Sequence, residues 1–182
     1  MRPPVGYLIK RTDGICGERG MFYDYILGGN GIWIEAEGKL LAVRVLVAPG
    51  LVRGLAPVDE KVELTHGRIP MRLYNLAGSV MAADRYHERF LAVTWEGEYR
   101  LREPWQDRGG AGVTYERLPD TVLDIHSHGT MPALFSGTDN RDEQGLKLYA
   151  VIGRVDMLMP EVKLRVGIYG YFAPIEFEEV FV

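Results

Sequence analysis

The chain has 182 residues, of which 47% are hydrophobic and 25% charged, so it is long enough to bury the core of one large domain. Its formal net charge is −4 and its lysines and arginines are scattered, which argues against a nucleic-acid-binding protein. It has no run of about 18 apolar residues, no apolar stretch after its first residues that would mark a signal peptide, and one cysteine, so we expect a cytoplasmic protein without a membrane span or an internal disulfide.

The first 65 residues are predicted to form a β-rich N-terminal region, and residues 66–182 a second domain. In the N-terminal region short apolar runs alternate with glycines, as strands alternate with turns. The predicted strands cover residues 7–10, 21–27, 31–35 and 40–48. Gly29-Asn30-Gly31 stands between two of these runs and predicts a hairpin turn.

A helix is predicted over residues 71–87. Pro70 suits the helix start, and Leu73, Leu76 and Val80 recur at steps of three and four residues. Glu88 follows at the predicted end of the helix, and residues 90–95 and 99–101, around the turn residue Gly97, predict a hairpin.

The residues with the clearest chemistry are two histidines, a serine and an aspartate. His126 and His128 end a predicted strand over residues 122–128, and a strand sends residues i and i+2 out of the same face. After seven intervening residues, Ser136 suits a helix N-cap, which places Asp139 in the first helical turn. Two imidazoles and one carboxylate form a three-ligand zinc site, which leaves a fourth position for water.

The rest of the chain predicts further strands over residues 112–117, 146–155, 162–170 and 171–182. Together with the helices they indicate an α+β protein with a mixed sheet flanked by helices and the metal site at a strand end. Asp142 and Glu143 follow the motif and are expected on a charged, solvated helix face. Cys16 is expected to be structural or incidental, although a role as fourth zinc ligand stays open.

The pattern His126, His128, Ser136 and Asp139 resembles the signature of the JAMM (MPN+) zinc metalloproteases. That resemblance implies a cytidine-deaminase-like fold, zinc held by the histidines and the aspartate, and a serine that assists the tetrahedral intermediate. It also implies an upstream glutamate, between a helix and a strand, that acts as general base on the zinc-activated water. Glu88 has this position, and it is preferred over the other candidates, Glu35, Glu37, Glu63, Glu96 and Glu98.

The chain also departs from the family, because Gly129 follows the second histidine where many members have proline. Gln106, Phe135 and the residues around the motif resemble more narrowly the PRTRC system protein A group of bacteria. This resemblance implies a ubiquitin-like protein as substrate, and partners that resemble ubiquitin-activating and ubiquitin-conjugating enzymes. Phe135, directly before Ser136, is a candidate substrate-binding residue that could line the channel for the substrate's tail.

The expected activity is hydrolysis of a peptide or isopeptide bond of a ubiquitin-like protein, with zinc as cofactor. Two alternatives stay open at this point. One is a non-catalytic MPN-type interaction scaffold with structural zinc, and the other is a zinc amidohydrolase that acts on a small substrate, since a fold does not dictate its leaving group.

Overall fold

The computed structural model describes residues 2–109 and 112–182, with side chains throughout except at 107–109 and 112–115. The chain divides into two units, of which the first ends at Gly67 and the second runs from Arg68 to Val182. The longest described helix has 13 residues, and neither it nor the other described helices have the length and apolar character needed to cross a bilayer.

The first unit is one six-stranded sheet. Its strands are β1 (Val5–Arg11), β2 (Gly14–Cys16), β3 (Tyr23–Gly28), β4 (Gly31–Glu37), β5 (Leu41–Pro49) and β6 (Lys61–Leu64). They lie in the order β2-β1-β3-β4-β5-β6, and β1 and β3 are parallel while the other neighbours are antiparallel. The predicted hairpin turn is confirmed, because Gly28 pairs with Gly31 where β3 returns as β4.

The second unit is built around another six-stranded sheet. Its elements are α1 (Met71–Ala83), β7 (Phe90–Trp95), β8 (Tyr99–Arg102), β9 (Gln106–Gly109), β10 (Gly112–Tyr115), β11 (Thr121–Ser127), α2 (Gly137–Asp142), β12 (Leu146–Gly153), β13 (Glu161–Ile168), β14 (Tyr171–Pro174) and α3 (Phe177–Val180). The sheet order is β14-β13-β12-β11-β7-β8, and β9 pairs with β10 separately. Because β11 and β12 are parallel and the other neighbours antiparallel, the sheet is mixed, consistent with the predicted α+β class.

The centre of this sheet positions the motif. Strand β11 lies between β7 and β12, and the side chains of Val122, Leu123 and Ile125 are buried to 2% exposure or less. A strand with apolar residues on both faces is held from both sides, so its end is a rigid support for the residues that follow.

Two predicted elements are wrong in part. The helix predicted over residues 71–87 ends at Ala83, since its last buried residue is Met81 and residues 85–88 are exposed, so no apolar face supports a further turn. The strand predicted over residues 171–182 ends at Pro174, and a short helix follows because the backbone N–H of Glu176 donates to the Glu179 carboxylate at 2.8 Å in a capping box.

Candidate metal centre

Strand β11 brings the two histidines together at its carboxyl end. His126 is in the strand, and His128 continues the extended backbone because its N–H donates to the carbonyl of Ile152 at 2.9 Å. The two imidazole ring centroids are 5.1 Å apart. Ser127, between them, points to the opposite face and has no exposed surface, as the alternation of a strand requires.

Helix α2 supplies the carboxylate. Ser136 is its N-cap and forms a capping box, in which the Asp139 N–H donates to the Ser136 hydroxyl oxygen at 3.2 Å and Asp139 Oδ2 accepts from the Ser136 N–H at 2.5 Å. The other carboxylate oxygen, Oδ1, lies 3.6 Å from His126 Nε2. One ligand atom from each of His126, His128 and Asp139 lies within 4.8 Å of the others, so the three predicted ligands converge.

The group fits a divalent metal such as zinc. His126 Nε2 is buried and has no hydrogen-bond partner among the residues that the structure describes, which is costly unless another group binds it. Burial lowers the pKa of His126 to about 4, so the imidazole is neutral near pH 7, as a metal ligand must be. Partial burial opposes ionisation of Asp139, but the hydrogen bonds from Ser136 outweigh it and hold the pKa of Asp139 below its usual range, so the carboxylate is ionised there. Cys16 is exposed in the first unit and is not a member of this group.

Glu88 lies in the connection between α1 and β7. The start of β7 pairs with the end of β11, where His126 lies. His126 pairs with Phe90 in the antiparallel register, and Ser127 and Arg89 are linked by two hydrogen bonds, Ser127 N–H to the Arg89 carbonyl at 2.9 Å and Arg89 N–H to the Ser127 hydroxyl at 3.0 Å. Glu88 lies two residues before Phe90, which begins β7 and pairs with His126. The Glu88 side chain is exposed.

Gln106 fixes the same strand end from its other edge. Its amide oxygen accepts from the Phe90 N–H at 3.0 Å and its amide nitrogen donates to the Phe90 carbonyl at 3.2 Å. The side chain therefore replaces the next residue of a neighbouring strand. It supports the backbone two residues after Glu88.

The other candidates for the general base lie in other strands and turns. Three of them, Glu35, Glu37 and Glu63, are in the first unit, where Glu35 is ion-paired with Arg19 and Arg44. Glu96 and Glu98 form ion pairs at the β7–β8 turn, with Arg102 and Arg100 respectively. Among the candidates taken from the sequence, Glu88 is the one that adjoins the start of β7, where Phe90 pairs with His126.

The backbone conformation at Gly129, after the second histidine, excludes the proline that the resembled family often has there. Its φ is +57°, a left-handed conformation that proline cannot adopt, and a Cβ atom there would lie 2.4 Å from the carbonyl oxygen of Arg85. The loop that begins at Gly129 is tied to the residues after β12, since Arg154 N–H donates to the Met131 carbonyl at 2.8 Å and Val155 N–H to the Gly129 carbonyl at 3.0 Å. Gly129 thus lets the connection that carries Glu88 approach the motif.

Replacing Gly129 by alanine is expected to lower the free energy of unfolding by roughly 1–3 kcal/mol, because the added methyl group meets the Arg85 backbone and the left-handed φ is strained. The matched control is Gly78→Ala, within α1 and with open space around the added atom, which should instead stabilise by about 0.5–1 kcal/mol. Urea denaturation of the three proteins measures both effects. Equal stabilities for Gly129→Ala and the original protein would contradict the contact.

Sequence reasoning did not single out Arg165, and it placed Glu143 in the wrong environment. Glu143 was expected on a solvated face, but it is 5% exposed and ion-paired with Arg165, whereas Asp142 is exposed as predicted. Burial raises the pKa of Glu143 to about 7, against the opposing effect of Arg165. The ring centroid of Phe135 lies 3.8 Å from the guanidinium carbon of Arg165. The rings of Phe135 and His126 form a T-shaped pair with centroids 6.1 Å apart. The sequence signal for Arg165 was weak, since it is a charged residue between Leu164 and Val166 in a strand that also contains Lys163.

The comparisons with known proteins give one match. The model of the family described as prokaryotic homologs of the JAB domain matches residues 64–165. The matched range contains the connection with Glu88, both histidines, Ser136 and Asp139, and leaves most of the first unit outside. No curated protein and no solved structure matches the chain.

Proposed function

Because the chain belongs to the family of prokaryotic homologs of the JAB domain, we propose that it is a zinc-dependent metallopeptidase or isopeptidase that hydrolyses a bond of a ubiquitin-like protein. The observation that carries the proposal is the convergence of His126, His128 and Asp139, with an unpartnered imidazole nitrogen among them. A buried nitrogen that lacks a hydrogen bond is costly unless a metal binds it, so this observation supports a metal centre. The cleavage test below separates an enzyme from a scaffold with structural zinc.

The proposed mechanism divides the work among five side chains. His126, His128 and Asp139 would hold zinc, which when bound supplies a Lewis acid and lowers the pKa of a coordinated water. Glu88 accepts a proton from the attacking water and returns it to the leaving amine. The Ser136 hydroxyl, whose oxygen already accepts the Asp139 N–H, donates a hydrogen bond to the developing oxyanion of the scissile carbonyl.

The substrate class rests on resemblance. The narrower similarity to the PRTRC system protein A group supports a ubiquitin-like protein as substrate, and partners that resemble ubiquitin-activating and ubiquitin-conjugating enzymes. Phe135 is partly accessible beside His126, which is compatible with a role in binding the substrate's tail. We infer that the protein either trims a ubiquitin-like precursor or removes conjugates, in the cytoplasm.

Metal content gives the first test. The purified protein should hold about one zinc per chain, and His126→Ala and His128→Ala should each lose it, because two ligands do not hold zinc tightly. His66→Ala, which removes an exposed imidazole outside the motif, is the control and should keep the metal. Elemental analysis and chelator competition measure this. A protein that takes up no zinc would overturn the proposal.

Cleavage gives the second test, with two substrates built from the same ubiquitin-like protein. One carries a peptide-linked extension at its C-terminus, and the other is joined through an isopeptide bond to a lysine. Zinc-dependent cleavage of either one supports the proposal, and the faster of the two identifies the bond type. Zinc binding with no cleavage of either would favour the scaffold, and cleavage of small amides alone would favour an amidohydrolase.

A further inference from the structure

A buried arginine joins the segment that carries Ser136 and Asp139 to the central sheet. Arg165 lies on β13 and is 7% exposed. Its Nε and Nη2 donate to Glu143 Oε2 at 2.9 and 2.5 Å, and its Nη1 donates to Asn140 Oδ1 at 2.6 Å. Both acceptors belong to the segment that begins at Phe135 and passes through α2.

Two aromatic rings pack against the same guanidinium. Phe135 lies 3.8 Å from the guanidinium carbon and Phe172, on the neighbouring strand β14, lies 4.0 Å from it, each measured to the ring centroid. Stacking of this kind is favourable and holds the guanidinium plane in one orientation. Phe135 also lies beside His126 in a T-shaped arrangement, so a chain of neighbouring side chains runs from β14 through Arg165 and Phe135 to His126.

The segment needs such an anchor because α2 is short. It has six residues, none of them buried, and an isolated helix of that length is not stable by its own hydrogen bonds. The capping box fixes Asp139 relative to Ser136, but it does not fix either residue relative to the histidines on β11. Arg165 contacts residues on both sides of Ser136 and Asp139 in the sequence. These are Phe135, which precedes Ser136, and Asn140 and Glu143, which follow Asp139.

We propose that Arg165 is a positioning residue for the metal centre, which holds Ser136 and Asp139 against His126 and His128. The inference rests on the proposed function, since it assigns the role through zinc ligands. Lysine cannot replace arginine in this role, because an ammonium group has neither the planar fork that reaches Glu143 and Asn140 together nor a flat surface for aromatic rings to stack on.

The test uses the full chain and variants chosen to keep it folded. Arg165→Met is combined with Glu143→Gln, because removing the arginine alone would leave a buried carboxylate without its cation. Arg165→Lys keeps the positive charge, and Phe172→Leu removes one stacking face without changing the ligand segment. The matched control is Arg44→Met in the first unit, which breaks a guanidinium–carboxylate pair with Glu35 far along the chain from the motif.

Zinc affinity, measured by chelator competition, is expected to fall about 10- to 100-fold in the double variant, as for other groups that orient metal ligands. The zinc affinity of Arg165→Lys and Phe172→Leu should fall less, and that of Arg44→Met should equal the affinity of the original protein. With Co²⁺ in place of zinc, the visible absorption of the double variant should shift toward that of Asp139→Asn, which a general loss of stability would not produce. Original affinity and spectrum in folded Arg165 variants would overturn the proposal.

A metal-free measurement separates this inference from the proposed function. Amide hydrogen exchange over residues 136–143 should accelerate in the Arg165 variants and stay unchanged in Arg44→Met, whether or not zinc binds. If the original protein binds no zinc, the proposed function fails, and the exchange result still decides whether Arg165 holds the segment. Unchanged exchange in folded Arg165→Lys and Phe172→Leu would contradict the role of Arg165 itself.

Discussion

Replacing Glu88 by glutamine is expected to lower kcat for amide hydrolysis by about 10²- to 10⁴-fold, the usual contribution of a general base, while the zinc content stays unchanged. Glutamine has nearly the same shape as glutamate but cannot accept a proton at neutral pH. Glu88 is exposed and is not a member of the ligand group, so the substitution should leave both the fold and the metal intact. Steady-state kinetics and metal analysis on the same preparation measure the two quantities together.

The matched control for Glu88 is Glu98→Gln, which removes a carboxylate from the β7–β8 turn, where it pairs with Arg100. It should change neither kcat nor the zinc content. Glu88→Asp keeps a carboxylate one methylene shorter, and it should retain part of the activity that Glu88→Gln loses. Full activity in Glu88→Gln, or an equal loss in Glu98→Gln, would show that another group is the base.

The parts of the site that could be predicted from sequence are those set by local rules. Alternation along β11 fixes that His126 and His128 share a face, and the Ser136 cap fixes where α2 begins. Neither inference needs information from distant residues. The hairpin at Gly29-Asn30 was predictable for the same reason, because its turn chemistry is contained in its own sequence.

The parts that could not be predicted depend on long-range contacts. Glu143 was expected in solvent, and nothing near it in sequence reveals Arg165, which lies 22 residues away on another strand. The helix before Glu88 ends early because no apolar surface covers its last predicted turn, and the contact of Arg85 with Gly129 becomes visible only once β7 is paired with β11. Sequence periodicity describes which face of an element is apolar, but not which element covers it.

Acid is expected to weaken the metal-free protein through His126. Burial lowers the pKa of His126 from an ordinary 6.5 to about 4, so between these values the unfolded chain holds a proton that the folded chain does not. The stabilisation from His126 is therefore complete above pH 6.5 and is lost as the pH falls toward 4, by up to about 3 kcal/mol in the free energy of unfolding.

Other buried groups titrate nearby, so the measurement has to isolate His126. Burial raises the pKa of Glu143 to about 7, which acts in the opposite direction, because the folded chain then keeps a proton that the unfolded chain releases. The pKa of Asp139 is lowered from its ordinary value of 3.8, so Asp139 changes the free energy of unfolding only below pH 3.8, outside this window. The useful quantity is the difference in unfolding free energy between the original protein and His126→Gln, measured by urea denaturation with a chelator from pH 7.5 to 4.5. The free energy of unfolding of the original protein should fall steadily relative to that of His126→Gln as the pH falls below 6.5. A constant difference would contradict this prediction. It would mean that the imidazole is solvated in the folded protein and takes up its proton as it does in the unfolded chain.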